Sequence, residues 1–202
     1  MPEPEARGGD PRPAPVLAPE PRPVGFPGAL VLFSAGGALL ALPQAAVRAL
    51  LPLPRLDSPP GLPGPLAGFL NLGGAAVPVV SLAALLGLPA GEPHPYRHLI
   101  LLTAAGPGGA VEPSLDGPVA LLVDRAADVL PAGLPLRPVE EGTSLGGVVA
   151  GAVELPAAAG GGTAHLLAPE RLLMAREAAI LGALTGQAQD RLARWTATAE
   201  EA

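Results

Sequence analysis

The chain has no cysteine and no lysine, and aromatic residues make up only 2% of its 202 positions. Each shortage excludes something. Without Cys there is no disulfide framework, no thiolate nucleophile and no Cys-based zinc site, and a reducing compartment fits. With so few rings the core has to be aliphatic, built from Leu, Val and Ala around Phe33, Phe69 and Tyr96. All 12 basic residues are Arg, which reads as genomic composition bias; the same bias accounts for the 27 Gly and 28 Pro. These Arg are scattered along a chain of net charge −6. Neutralising a phosphate backbone takes clustered cations, so nucleic acid is disfavoured as a partner.

Charge is also missing locally: residues 23–47 and 58–91 carry none. Each stretch is long enough to cross a bilayer, which takes about 20 residues. Pro27, Gly36, Gly37 and Pro43 interrupt the first, and Pro59, Pro60, Pro63, Pro65, Pro78 and Pro89 the second. In lipid every backbone polar group must be satisfied within the segment, so neither makes a credible membrane helix. The Pro-rich, acidic start lacks the basic region and apolar run of a secretory signal.

What is present is a string of short apolar runs. Residues 1–27 are rich in Pro with few large apolar side chains, and are expected to be a disordered, partly polyproline arm. Ordered structure is expected from residue 28. Ala29–Ala35 and Ala38–Leu42 flank Gly36-Gly37, the pattern of a β-hairpin. Pro43-Gln44 opens a short helical turn leading into Val47–Leu51, and residues 52–65 form a Pro-rich loop. Leu66–Leu72 and Ala75–Leu82 read as strands around Gly73-Gly74. Pro78 places the second of these at an edge or barrel rim, because proline cannot donate to a ladder. Leu82–Leu86 is a helical turn stopped by Gly87. Arg97–Thr103, Pro118–Asp124, Ala126–Leu130, Ser144–Leu155 and Thr163–Ala168 read as further strands, with 104–117 a loop. A helix starts at Pro169–Leu173 and continues toward Trp195 with a break near Gly182 or Gly186. On it Leu181, Leu184, Leu192 and Trp195 form an apolar stripe that packs on the protein's own barrel. Many short strands and one appreciable helix indicate a mostly β barrel or sandwich.

No catalytic constellation emerges. His94, His98 and His165 lack the spacing of a metal site, so no metal is expected. Neither a G-x-S-x-G elbow nor a G-x-x-x-x-G-K-S/T loop is present. Asp116, Asp124 and Asp128 have no titratable partner by spacing. No catalytic residue and no cofactor is assigned.

One stretch is more specific. Gly68-Phe69-Leu70-Asn71-Leu72-Gly73-Gly74-Ala75-Ala76-Val77-Pro78-Val79-Val80-Ser81-Leu82, followed by Leu85-Leu86-Gly87, resembles the signature of the CheW-like family, approximately G-x-x-N-L-R-G-x-x-V-P-V-V-D-L and then Leu-Leu-Gly. Upstream, Val47-Arg48-Ala49-Leu50-Leu51 is similar to its V-R-E-I-L element. Downstream, Leu121 to Leu130 is similar to L-V-D-x-V-x-D-V-L, and Leu166–Leu173 to the terminal strand and L-L helix. The resemblance implies two intertwined five-stranded SH3-like β-barrels with a hydrophobic seam and a short C-terminal helix. It divides the chain into an arm (1–27), a CheW-like domain (28–175) and a C-terminal helix and tail (176–202).

It also implies a non-catalytic cytoplasmic adaptor, peripheral to membrane receptor arrays. This adaptor binds the cytoplasmic tip of chemoreceptors and the regulatory domain of a CheA-type histidine kinase. The residues it points to for partner binding are Val47, Arg48, Leu50, Asn71, Gly73, Gly74, Asp124 and Arg125. Val47 and Leu50 are expected near the first barrel, Asn71 is expected to support the tight turn, and Asp124 and Arg125 to form a surface ion pair. The family's usual Arg, Glu and Asp are replaced by Gly73, Ala49 and Ser81, which removes three charges from the region expected to face receptors and suggests a non-standard partner. Alternatives are a module that binds only the kinase, capping or competing in arrays of a non-flagellar pathway, a membrane-inserted protein, and a hydrolase on a β-barrel.

Overall fold

A computed structural model describes residues 24–90, 96–103, 117–139 and 147–200. The expected arm up to residue 23, most of the 104–117 loop, His94, Asp116 and residues 144–146 of an expected strand lie outside them.

The strands are β1 (Val24–Gly25), β2 (Leu30–Ala35), β3 (Ala38–Pro43), β4 (Val47–Pro52), β5 (Leu66–Leu72), β6 (Ala75–Ser81), β7 (His98–Leu102), β8 (Ala120–Val123), β9 (Arg125–Leu130), β10 (Pro135–Arg137), β11 (Val149–Glu154) and β12 (Thr163–Leu167). The helices are α1 (Leu82–Leu85) and α2 (Ala175–Glu200). One sheet runs β1-β10-β11-β12-β3-β2-β9; its five longer strands are extended at the β11 edge by the very short β10 and β1. The other is β4-β7-β8-β6-β5. The first sheet draws strands from both ends of the chain and the second from the middle, so the two SH3-like barrels are intertwined. The chain passes to the second sheet through a 3-10 turn at Gln44–Ala46 and returns at Asp124, between β8 and β9.

The continuous apolar runs follow from burial on both strand faces. Successive side chains of a strand point to opposite sides. On β2, Leu30 and Leu32 enter the core of the first barrel with Ala41, Val153 and Leu166. Val31, Phe33 and Ala35 face the other way, into a seam shared with Leu66, Phe69, Ile100, Leu121 and Val123 of the second sheet. On β7 and β8, Leu99, Leu101, Ala120 and Leu122 fill the second barrel with Leu70, Val77 and Val79. Such strands have no polar face to alternate with. Phe33 is fully buried at the seam, where truncation to Ala would cost about 3–5 kcal/mol.

Several expectations are corrected. Order reaches back before residue 28, because Val24 and Gly25 pair with Leu136 and Pro135 of β10. Strand β6 is interior, lying between β5 and β8. Pro78 is tolerated there for a local reason. Phe69, its cross-strand partner, exchanges both backbone hydrogen bonds with Asp57, at 2.8 and 2.9 Å. The Phe69–Pro78 pair is therefore a non-hydrogen-bonded one, and the proline nitrogen faces β8 one residue before that ladder begins at Val79. Helix α2 runs through Gly182 and Gly186 without a break. Its stripe of Leu181, Leu184 and Ala188 packs on the seam, as expected for a helix lying on its own barrel. The side chain of Trp195 lies outside the described set.

Candidate docking site

Strand β4 is an edge of the second sheet, hydrogen-bonded only to β7. Its side chains alternate. Ala49 and Leu51 pack against the second barrel's core and Val47 against the seam, while Arg48 and Leu50 point outward. Leu50 is 41% exposed, high for a large aliphatic side chain in a strand. Plain core packing therefore accounts for Val47 but not for Leu50. Both residues belong to the second sheet rather than the first barrel, with Val47 at the seam.

Asn71, Gly73 and Gly74 form the exposed β5–β6 turn. Asn71 Oδ1 accepts the Gly74 N–H at 2.9 Å, so the side chain supports the turn as expected. Gly73 and Gly74 have φ of 61° and 90°. Two consecutive left-handed residues suit a tight hairpin, and glycine takes them without strain.

Asp124 and Arg125 do not pair with each other. Asp124 Oδ2 accepts the Gly36 N–H at 2.7 Å, and its Oδ1 lies 3.7 Å from Nη2 of Arg97. Arg125, the next residue, begins β9 and is exposed. Successive side chains diverge on extended backbone, so the local pair gives way to one across the fold.

The structure thus separates the eight residues into three places: edge strand β4, with Arg48 and Leu50 outward and Val47 toward the seam, the β5–β6 turn, and the crossing between sheets at Asp124. The three positions where the resembled signature carries a charge, 49, 73 and 81, do not share a face either. Gly73 is exposed, Ala49 is half-buried against the barrel core, and Ser81 is the N-cap of α1, its Oγ accepting the Ala84 N–H at 3.4 Å. Ser and Asp both serve as caps, so Ser81 keeps the local role an Asp would have.

Sequence reasoning missed Gln189 on α2. Ala76 N–H donates to its Oε1 at 2.7 Å, and its Nε2 donates to the Gly74 carbonyl at 3.0 Å. A groove of about 720 Å³ lies beside it, between α2, β5 and the loop at residues 55–58. Arg191 and Asp57 face each other there at 3.8 Å. A polar residue beside an apolar stripe gives no signal in the sequence that it reaches a strand more than 100 positions away.

Among the described residues, no three His, Cys, Asp or Glu are grouped to hold a metal ion. His98 and His165 are half-buried in β7 and β12, which belong to different sheets. No helix among the described residues is long and apolar enough to cross a membrane.

The sequence matches the family model described as CheW-like domain over residues 29–177. The chain belongs to the CheW-like domain family. The fold is similar to the crystal structure of the scaffolding protein TtCheW from Thermoanaerobacter tengcongensis, with a TM-score of 0.56 and 18% identity over 75% of this chain and 88% of that one. No curated protein matches the sequence. Within this CheW-like domain, the elements that carry Leu50 and the Asn71–Gly74 turn both belong to the second barrel.

Proposed function

We propose that this CheW-like protein is a non-catalytic adaptor that couples chemoreceptors to a CheA-type histidine kinase. The observation that carries the reading is the family match spanning almost all of both barrels. The surface supports it. An edge strand with free backbone groups and an outward Leu50 beside Arg48 suits a protein partner better than a small molecule. The adaptor works in the cytoplasm, peripheral to receptor arrays.

The test is calorimetric titration of the full chain with two probes: the regulatory domain of each CheA-type kinase of the same organism, and a soluble receptor-tip fragment. Micromolar binding to both is the expected result. Binding to the kinase domain alone would replace the coupling role with that of an array cap or competitor. Binding to neither would sink the adaptor reading.

A further inference from the structure

Strand β6 pairs with β8 only from Val79 onward, so the Gly74–Pro78 part of that edge has no strand beside it. Val77 and Leu70 are the hydrogen-bonded neighbours within the hairpin, which turns the Ala76 N–H away from β5, toward the side β8 occupies further along. That amide and the Gly74 carbonyl are the two groups held by Gln189. A residue of a parallel strand lying opposite Ala75 would donate to the carbonyl before it and accept from the N–H after it. The primary amide of Gln189 makes that pair of bonds, so it stands in for the backbone N–H and C=O of one residue of an added parallel strand. It extends the β8 side of the sheet past the gap that Pro78 leaves.

The helix carrying this amide is lightly held. Along its described face only Ala178, Leu181 and Ala188 are buried, two of them small. Thr185 Oγ1 is buried without a hydrogen-bond partner. Gly182 and Gly186 are exposed, and an added Cβ at either would meet nothing within 4 Å, so packing does not require glycine there. The Arg191–Asp57 ion pair is largely exposed and contributes little. Few buried apolar side chains, two glycines inside the helix and an unpartnered buried hydroxyl mark a segment that opens before the rest of the fold.

We propose that α2 is a detachable cover latched by Gln189, and that the β6 edge beneath it, at Gly74–Ala76, docks an extended backbone segment of a protein partner. The occupant is named by what the edge already accepts: a peptide-like amide in parallel register, continuous with β8. The proposal rests on the adaptor reading only for the choice of the kinase regulatory domain as probe.

Two full-length variants test it in opposite directions. Gln189→Leu keeps the side chain's bulk and removes the amide. The double variant Gly182→Ala, Gly186→Ala strengthens the helix without crowding. Native-state hydrogen exchange should show α2 and the Ala76 amide opening together, at least about tenfold faster than the amides of β7 and β8. In Gln189→Leu the Ala76 amide should exchange about tenfold faster still, and the kinase regulatory domain should bind severalfold tighter. The Gly-to-Ala variant should shift both readouts the other way. If α2 exchanges only as slowly as β7 and β8, the cover does not open on its own and the proposal is overturned. Faster exchange in Gln189→Leu with unchanged or weaker binding overturns the docking edge. If no form binds the kinase domain, the adaptor reading fails with its partner, and the exchange result decides the cover by itself.

Discussion

Asp124 reaches across the seam to Gly36: its Oδ2 accepts the amide of the β2–β3 hairpin turn at 2.7 Å. The other oxygen lies 3.7 Å from Arg97 at the start of β7, and the Asp124 N–H donates to the Ser34 carbonyl at 2.8 Å. One side chain at the point where the chain changes barrels therefore ties a turn of the first barrel to a strand of the second. Removing it leaves the Gly36 donor and the Arg97 guanidinium, both partly shielded, without their acceptor. Asp124→Ala should lower stability by about 1–3 kcal/mol. Asp124→Asn should lose less, since its amide oxygen can still accept from Gly36. Urea unfolding midpoints measure both, and an unshifted Asp124→Ala midpoint would return this residue to a purely surface role.

The same hairpin turn gives a second test, because its two glycines are not equivalent. Gly36 has φ +57°, and an added Cβ would meet the Pro89 carbonyl oxygen at 2.6 Å and Leu88 Cβ at 2.7 Å. Gly37 has φ +79° with nothing within 4 Å. Gly37→Ala should therefore carry only the left-handed strain, about 1–2 kcal/mol. Gly36→Ala adds a clash with the segment after α1 and should cost clearly more. Thermal melts of the two variants would separate the terms; equal melting temperatures would mean that the 88–89 segment yields freely.

Much of this fold can be read along the chain because its turns are glycine pairs and its strands are short apolar runs. Gly36-Gly37 and Gly73-Gly74 delimit two hairpins where the sequence places them. The less legible parts are non-local. A run such as Leu99-Ile100-Leu101 reads as apolar throughout, and only the assembled barrels show that Ile100 faces the seam while its neighbours face the second barrel. The parallel pairings β12 with β3 and β6 with β8 join distant segments and leave no local trace. Strand β10 is three residues long and begins with Pro, so it carries no alternation to detect. Of the candidate site, the Asn71 turn was legible because its hydrogen bond spans three residues, whereas the partners of Asp124 and Gln189 lie about 90 and 115 positions away.

Leu50 separates docking from folding. It is 41% exposed on an edge strand, so Leu50→Glu should change stability by no more than about 0.5 kcal/mol. A carboxylate placed on an apolar contact would weaken partner binding about tenfold or more, or about 1.4 kcal/mol. Titration of the variant with the receptor-tip fragment and the kinase domain, alongside a denaturation curve, tests both statements. Full retention of affinity for both probes would move the docking surface off β4.

Adding the Arg and Glu of the signature that the sequence resembles, at positions 73 and 49, should not improve this protein. Gly73 sits at φ +61°, where an Arg would bear left-handed strain of about 1–2 kcal/mol. Ala49 is half-buried against the core of the second barrel, so a Glu there would be partly desolvated without a partner, at about 1–3 kcal/mol. Position 73 is an exposed turn and position 49 turns toward the core, so the two charges would not meet as an ion pair across one surface. A protein whose turn and edge strand have settled without them has a smaller, more apolar contact area, and charge at an interface rim acts on specificity and association rate more than on affinity. The double variant Gly73→Arg, Ala49→Glu should therefore be less stable than the parent and bind the native kinase domain with equal or lower affinity. A clear gain in affinity would show that the missing charges are losses the protein tolerates, not an adaptation to a different partner.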